Sequence, residues 1–303
     1  MKNNNFQNKN AGKTHFRITE KVELMDFLLK KMGGMSRNSV KSLLAHRQIS
    51  VNGKIMTLYN HQLIENDRVV VSSARGNVEL AHPKLRILFE DQYIIVVEKK
   101  HGLLTVSTSK GDEITAFSIL KNYVKKQSPQ NRIFVVHRLD RDTSGVLVFA
   151  KQRETQLALQ ENWHTNVRQR TYFAVVEGVM PQKEDTVVSW LTENPKSLKI
   201  HSSEMDNGGQ KAVTHYKSMK SNEKFSLLEI NLETGRKNLI RVHLQESGQS
   251  VVGDKKYGAT TNPLGRLALH AKILEFFHPV SHNVVRFESP VPKEFMRVIN
   301  GKM

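Results

Sequence analysis

The 303 residues contain no cysteine. That absence excludes a disulfide framework, thiolate metal sites and a cysteine nucleophile. No run of about 18 apolar residues occurs, so no spanning helix is expected. The opening residues, "MKNNNFQNKNAGKTHF", lack the apolar core of a secretory signal. A soluble cytoplasmic protein without a membrane partner is therefore expected. Acidic residues are also scarce. Asp and Glu number 29 against 46 Lys and Arg, leaving a formal charge of +17. Such a surplus favours a polyanionic partner through steering and counterion release, with nucleic acid the first candidate.

Several common sites are missing as well. Ser144 lies in "TSG" without the Gly-x-Ser-x-Gly elbow of serine hydrolases. Gly-rich phosphate cradles and His-Glu-x-x-His pairs are absent. The histidines, among them His101, His137, His215, His243, His270, His278 and His282, are not spaced as metal ligands. No metal and no cofactor is expected.

The patterns present divide the chain. Residues 1–16 are Asn-rich and basic and predict a disordered tail. Residues 17–76 predict a small α+β unit. Val22, Met25, Leu29 and Met32 recur at helical spacing up to Gly33-Gly34, and Ser36 is placed to cap a second helix carrying Val40, Leu43 and Leu44. Asn52-Gly53 in "QISVNGKIM" signals a hairpin, and "DRVVVSS" reads as another strand. Arg37, Lys41 and Arg47 are either a solvated face or, given the charge of the whole, a nucleic-acid face.

Residues 77–84 read as a linker. Over 85–303, strands and helices intersperse without strict alternation. That predicts an α+β domain with a mixed, largely antiparallel sheet. Strands are expected in "RILFE", "YIIVVEK", "RIFVVH", "SGVLVFAK", "RTYFAVVEG" and near the C-terminus, with a hairpin over 213–234. Helices are expected in "DEITAFSILKNYVKKQ" (Ile114, Phe117, Leu120 and Val124 on one face), "KQRETQLALQENWHT" and "RKNLIRVHLQESG".

The stretch "VVHRLDRDTSGVLVFAK" sets Arg138, Asp140, Arg141 and Asp142 between two apolar runs. It is either a polar turn, with both aspartates as turn residues, or a site that holds Asp140 ionised among cations and donors. Farther on, "LETGRKNLIRVHL" places Arg236 and Arg241 near a helix start, where guanidinium groups can fork onto carboxylate or phosphate. Tyr172 is either a core tyrosine or a base-stacking ring.

The helix pair with "SVNGKIM" resembles the RNA-binding domain named for ribosomal protein S4. In order, "HRLDRDTSGVLVFAK", "RTYFAVVEG", "ETGRKNLIRVHL…VVGDKKYG" and "RLALHAKILEFFHP" resemble the RluA/RluD-type pseudouridine synthases, from about Arg86 to Arg297. The resemblance implies cofactor-free isomerisation of uridine in structured RNA. Large-subunit ribosomal RNA is the first expected substrate and transfer RNA the second. It implies Asp140 as the catalytic aspartate, Arg241 as its partner, and Tyr172 as a ring stacked on uracil that assists proton removal. Ile240 is implied as an apolar contact to the base and Arg138 as the filler of the gap left by a flipped nucleotide. Arg37 and Lys41 are expected to bind RNA. Lys255, Lys256 and Tyr257 are expected to be structural or to contact backbone. A monomer is expected.

Two stretches depart from that pattern. Lys237-Asn238-Leu239 stands where the family has Thr-His-Gln, and Glu98-Lys99-Lys100-His101-Gly102 where it has Asn-Lys-Pro-x-Gly. The competing possibility is a non-catalytic RNA-binding or assembly factor that keeps the fold. Asp140 counts against it, because a carboxylate facing phosphates opposes binding.

Overall fold

A computed structural model describes residues 13–45, 48–72, 80–107 and 113–301. Two compact units form, one from 1–80 with 122–131, the other from 81–121 and 132–303. In the first, the elements are β1 (Lys13–Arg17), β2 (Val22–Glu23), α1 (Leu24–Lys31), α2 (Arg37–Ala45), β3 (Ile49–Val51), β4 (Lys54–Ile55), β5 (Gln62–Leu63) and β6 (Arg68–Ser72). The strands run β1-β6-β3-β4 in one sheet, and β2 pairs with β5. Asn52 and Gly53 take φ of 50° and 80°, the left-handed pair a tight hairpin needs between β3 and β4. Ser36 caps α2, its Oγ accepting the Ser39 N–H at 3.1 Å. Leu24, Met25, Leu28, Val40, Leu44, Ile49, Leu63 and Val69 close the core of this unit.

Two expectations change here. Lys13–Phe16 are not part of a disordered tail, because they pair antiparallel with Val69–Ser72. Backbone pairing along the open edge of β6 outweighs their polar composition. Val22 lies in β2, so the helix begins at Leu24 and buries Leu24, Met25, Phe27 and Leu28. Arg47 and residues 77–79 of the expected linker fall outside the described residues.

The second unit contains β7 (Leu85–Glu90), β8 (Ile94–Lys99), the start of α3 (Ala116–Gln127), β9 (Phe134–Val135), β10 (Ser144–Ala150), α4 (Arg153–Glu161), α5 (Trp163–Asn166), β11 (Val167–Glu177), β12 (Glu184–Glu193), β13 (Ile200–Ser203), β14 (Gln210–Ser221), β15 (Phe225–Leu232), α6 (Leu239–Glu246), β16 (Leu269–Phe277), β17 (Val284–Glu288) and α7 (Lys293–Ile299). One mixed sheet runs β13-β12-β14-β15-β11-β16-β10-β8-β7, with β17 on β16 and β9 on β10. Every pair is antiparallel except β10 with β16. The expected α+β class and mixed, largely antiparallel sheet are present. Leu120 and Val124 are buried as expected, joined by Ala116 and Tyr123, whereas Ile114 lies ahead of α3 and is 66% exposed. The expected helix after Lys151 breaks at Asn162 into α4 and α5.

The parallel contact decides where the site lies. β10 and β16 pair over only Ser144↔His270 and Gly145↔Ala271. Beyond that, β9 takes over the edge of β10 and β17 the edge of β16. Gly145 has φ of 120°, and a Cβ there would lie 2.0 Å from the Ala271 carbonyl oxygen. Only glycine permits this approach. Gly145→Ala should cost roughly 2–5 kcal/mol through backbone strain and overpacking. Chemical denaturation measures this, and an unshifted midpoint would show that the two strands can part freely.

Candidate active site

The segment 136–143 joins β9 to β10. Leu139 is buried, and the Thr105 hydroxyl donates to its carbonyl at 2.8 Å and accepts its N–H at 3.1 Å. Arg138 and Asp140, on either side of that anchor, line a pocket of about 390 Å³, within the usual range for small-ligand sites. The Thr143 N–H closes the turn on the Asp140 carbonyl at 3.2 Å. Arg141 pairs with Glu113 at 2.9 Å, and Asp142 is exposed. Ser144 commits its hydroxyl to Arg266 (2.7 Å) and His270 (2.9 Å), so it anchors the turn to the interior.

Arg241 comes from α6. Its Nε and Nη2 fork onto Asp254 at 2.6 and 2.7 Å. Its Nη1 reaches Asp140 Oδ2 and Asn238 Oδ1, both at 3.1 Å. Asp254 is buried and also accepts the N–H groups of Lys256 and Tyr257. Although burial disfavours the charge, Asp254 and Asp140 outweigh it and hold the Arg241 pKa above the ordinary arginine value. The Tyr257 ring lies 5.0 Å from the guanidinium. Asn238 is left-handed, with φ of 55°, a conformation asparagine tolerates, and its amide also donates to Tyr257 Oη at 3.0 Å.

Tyr172 on β11 is half-buried and lines the same pocket, as does Ile240. Burial and nearby Asp140 push the Tyr172 phenol up, against the pull of Arg170. Burial and Arg170 hold His137 down to about 3, and its Nε2 accepts the Val148 N–H at 3.2 Å. Among the described residues, five cationic side chains (Arg138, Arg170, Arg236, Lys237 and Arg241) line the pocket against one carboxylate, Asp140. Asp140, Tyr172, Arg241, Arg138 and Ile240 are thus brought together. Arg37 and Lys41 are not among the lining residues. They lie exposed on α2, Arg37 3.7 Å from Asp26 and Lys41 5.5 Å above the Tyr59 ring.

Two residues escaped the sequence analysis. Asp254 stands in the quoted "GDKKYG", where only the lysines and tyrosine drew notice. Lys99 stands in the departing strand end "EKKHG". It is wholly buried, and its Nζ donates to the carbonyls of Leu103 (2.8 Å), Asp140 (3.1 Å), Arg141 (3.1 Å) and Lys100 (3.3 Å). It therefore pins the backbone of the turn that carries Asp140. A charged residue inside a strand, next to a glycine turn, was the available signal.

Burial lowers Lys99 to about 7, despite Asp142 and Asp140. The folded pKa lies below the unfolded one, so the charging penalty is complete below about pH 7 and fades as pH rises toward the unfolded value. Wild type should gain stability relative to Lys99→Met between pH 6.5 and 9.5. Denaturation of both proteins at each pH measures this, and a stability difference that stays flat across that range would show that Lys99 is charged throughout.

A profile of the RNA pseudouridylate synthase family matches residues 93–246. The chain is 33% identical over 276 residues to the uncharacterized RNA pseudouridine synthase YhcT of Bacillus subtilis, covering 88% of this chain and 89% of that one. It is 35% identical over 228 residues to the ribosomal large subunit pseudouridine synthase D of Nitrosomonas europaea, covering 72% and 65%. Among solved structures, human RNA pseudouridylate synthase domain containing 4 superposes with a TM-score of 0.59 at 22% identity, over 71% of this chain and 92% of that one, a likeness of fold. The profile spans half the chain, and relatives match it along most of its length. The chain belongs to the RNA pseudouridylate synthase family.

Proposed function

We propose that this protein isomerises uridine in structured RNA, specifically in large-subunit ribosomal RNA, to pseudouridine, with Asp140 as the reactive carboxylate. The observation that carries this is the Arg241 guanidinium, fixed by Asp254 and offered at 3.1 Å to Asp140 in an otherwise cationic pocket. A carboxylate among phosphate-binding cations costs affinity, so its presence argues for chemistry. The ribosomal substrate is favoured by the relative named as a large-subunit synthase.

Uridine and pseudouridine are isomers. The bond from ribose C1′ to N1 breaks, uracil turns, C5 bonds to C1′, the C5 proton leaves and N1 gains one. No outside oxidant or group donor is needed. Asp140 attacks or deprotonates the ribose, or forms a transient adduct, with Arg241 as its cationic partner. Tyr172 stacks on the base, with Ile240 giving an apolar contact. Tyr172 is a neutral phenol, and burial disfavours its ionisation further, so it assists at C5 by taking up that proton while releasing its own to solvent. Arg138, exposed beside the pocket, fills the gap left by the flipped nucleotide.

The N-terminal unit, read as ribosomal-protein-S4-like, spans about residues 17–76 ahead of a catalytic domain over 85–303. It would present Arg37 and Lys41 to RNA phosphates. The protein is proposed to act as a cytoplasmic monomer.

Asp140→Asn should lower turnover by on the order of 10²–10⁴-fold or more, while Asp254 still holds Arg241 in place. Pseudouridine mapping in a deletion strain and an Asp140→Asn strain should show one large-subunit site lost in both. A site lost in transfer RNA instead would move the substrate, and survival of every site would overturn the activity. Arg37→Gln with Lys41→Gln should weaken RNA binding and flatten its salt dependence by roughly one slope unit per lost phosphate contact. An unchanged slope would remove α2 from the RNA surface.

A further inference from the structure

The turn between β12 and β13 holds a bulky residue in a backbone conformation it disfavours. Leu198 has φ of 53° and is 55% exposed. A left-handed leucine is a steric outlier, and such strain persists only where the surroundings enforce it. They do so here. The Leu198 N–H donates to the Asn194 carbonyl at 2.8 Å, and the Asn194 N–H to the Lys199 carbonyl at 2.9 Å. Asn194 Oδ1 accepts the N–H groups of Lys196 and Ser197. Lys256 Nζ reaches across to the Leu198 carbonyl at 2.8 Å. A rigid turn thus presents a leucine side chain to solvent, where it gains nothing from burial.

The surroundings are cationic. Lys199 and Lys256 lie 5.6 and 5.8 Å from the Tyr257 ring, the ring that also lies 5.0 Å from Arg241. The Ile200 N–H donates to Tyr257 Oη at 3.2 Å. Lys196 and Lys255 are exposed on the same two segments, and Lys237 is paired with Glu193 at the base of the turn. Burial and the charges of Lys237 and Arg241 lower the Lys256 amine, with Glu193 and Asp140 only partly opposing. Lys237 lines the pocket, and Lys199 and Lys256 share the Tyr257 ring with the pocket residue Arg241, so this cationic lip beside the pocket calls for an anion.

We propose that this lip is an RNA-docking element, in which Lys199 and Lys256 hold phosphates of the strand beside the target nucleotide and Leu198 wedges against a neighbouring base. Apolar wedges of this kind stabilise unstacked nucleic acid. The assignment rests on the proposed action of the pocket on RNA.

Glycine suits a left-handed position, so Leu198→Gly removes the wedge and relieves the strain. The full-length protein, with an unmodified transcript of large-subunit ribosomal RNA as probe, supplies the test. Leu198→Gly should bind about five- to tenfold more weakly with an equal or higher Tm. Lys199→Gln should weaken binding and lower the salt slope by about one. Lys217→Gln, an equal charge change at an exposed pair with Glu184 on β14, should bind as wild type does. Unchanged affinity in either lip variant overturns the proposal. So does a loss in Leu198→Gly that follows a fall in Tm, or an equal loss in Lys217→Gln. Pseudouridine formation by wild type and Asp140→Asn is measured separately, so a failure of the catalytic assignment is distinguishable from a failure of the lip.

Discussion

One guanidinium shared between two carboxylates organises the centre of this protein. Arg241 gives a two-point fork to Asp254 and a single contact to Asp140. The asymmetry matters. Asp254 is out of solvent and answered by four donors, two from Arg241 and two backbone N–H groups, the kind of complete pairing a buried ion pair requires. Asp140 is only partly covered and held by one arm. The arginine is thereby preorganised, while the carboxylate is held by a single contact at the pocket wall. Catalytic electrostatics depend on such arrangements, since a pre-set cation needs no reorganisation during reaction.

The backbone beneath Asp140 is fixed by different means. Lys99 collects the carbonyls of Asp140 and Arg141 from below, and Thr105 holds Leu139. Ser144 and Gly145 tie the far side to β16, Ser144 through Arg266 and His270, Gly145 through close backbone approach. The place where the sheet changes partners is therefore also where Lys99, Thr105, Ser144, Arg266 and His270 meet in the interior. A loop at that junction can expose Arg138 and Asp140 without becoming loose.

Much of this was legible in the sequence. Continuous apolar runs such as "SGVLVFA" marked the buried central strands, and Asn52-Gly53 marked its hairpin. Motif order brought Asp140, Tyr172 and Arg241 into one constellation before any geometry was known. Local patterns could not supply partners chosen across the chain. Asp254 acts through Arg241 on a preceding helix and Lys99 through Asp140 and Arg141 far along the chain, and neither carries a periodic signal. β12, with "EDTVVSWLTE", mixes polar and apolar residues because much of it is exposed, so it passed unread, as did β13 and α7. Lys13–Phe16 gained their strand from an open sheet edge, which composition does not register.

The triplet Lys237-Asn238-Leu239 departs from the family pattern at all three positions, yet each residue is matched locally. Lys237 meets Glu193, Asn238 bridges Arg241 and Tyr257, and Leu239 packs with Leu191, Ile200, Val242 and Tyr257. Two of those matches, Glu193 with Leu191 and Ile200, come from β12 and β13. The triplet and the hairpin therefore form a single packed unit. A chimera that exchanged one without the other would leave Glu193 without its lysine on one side and set a foreign side chain against Leu191 and Ile200 on the other.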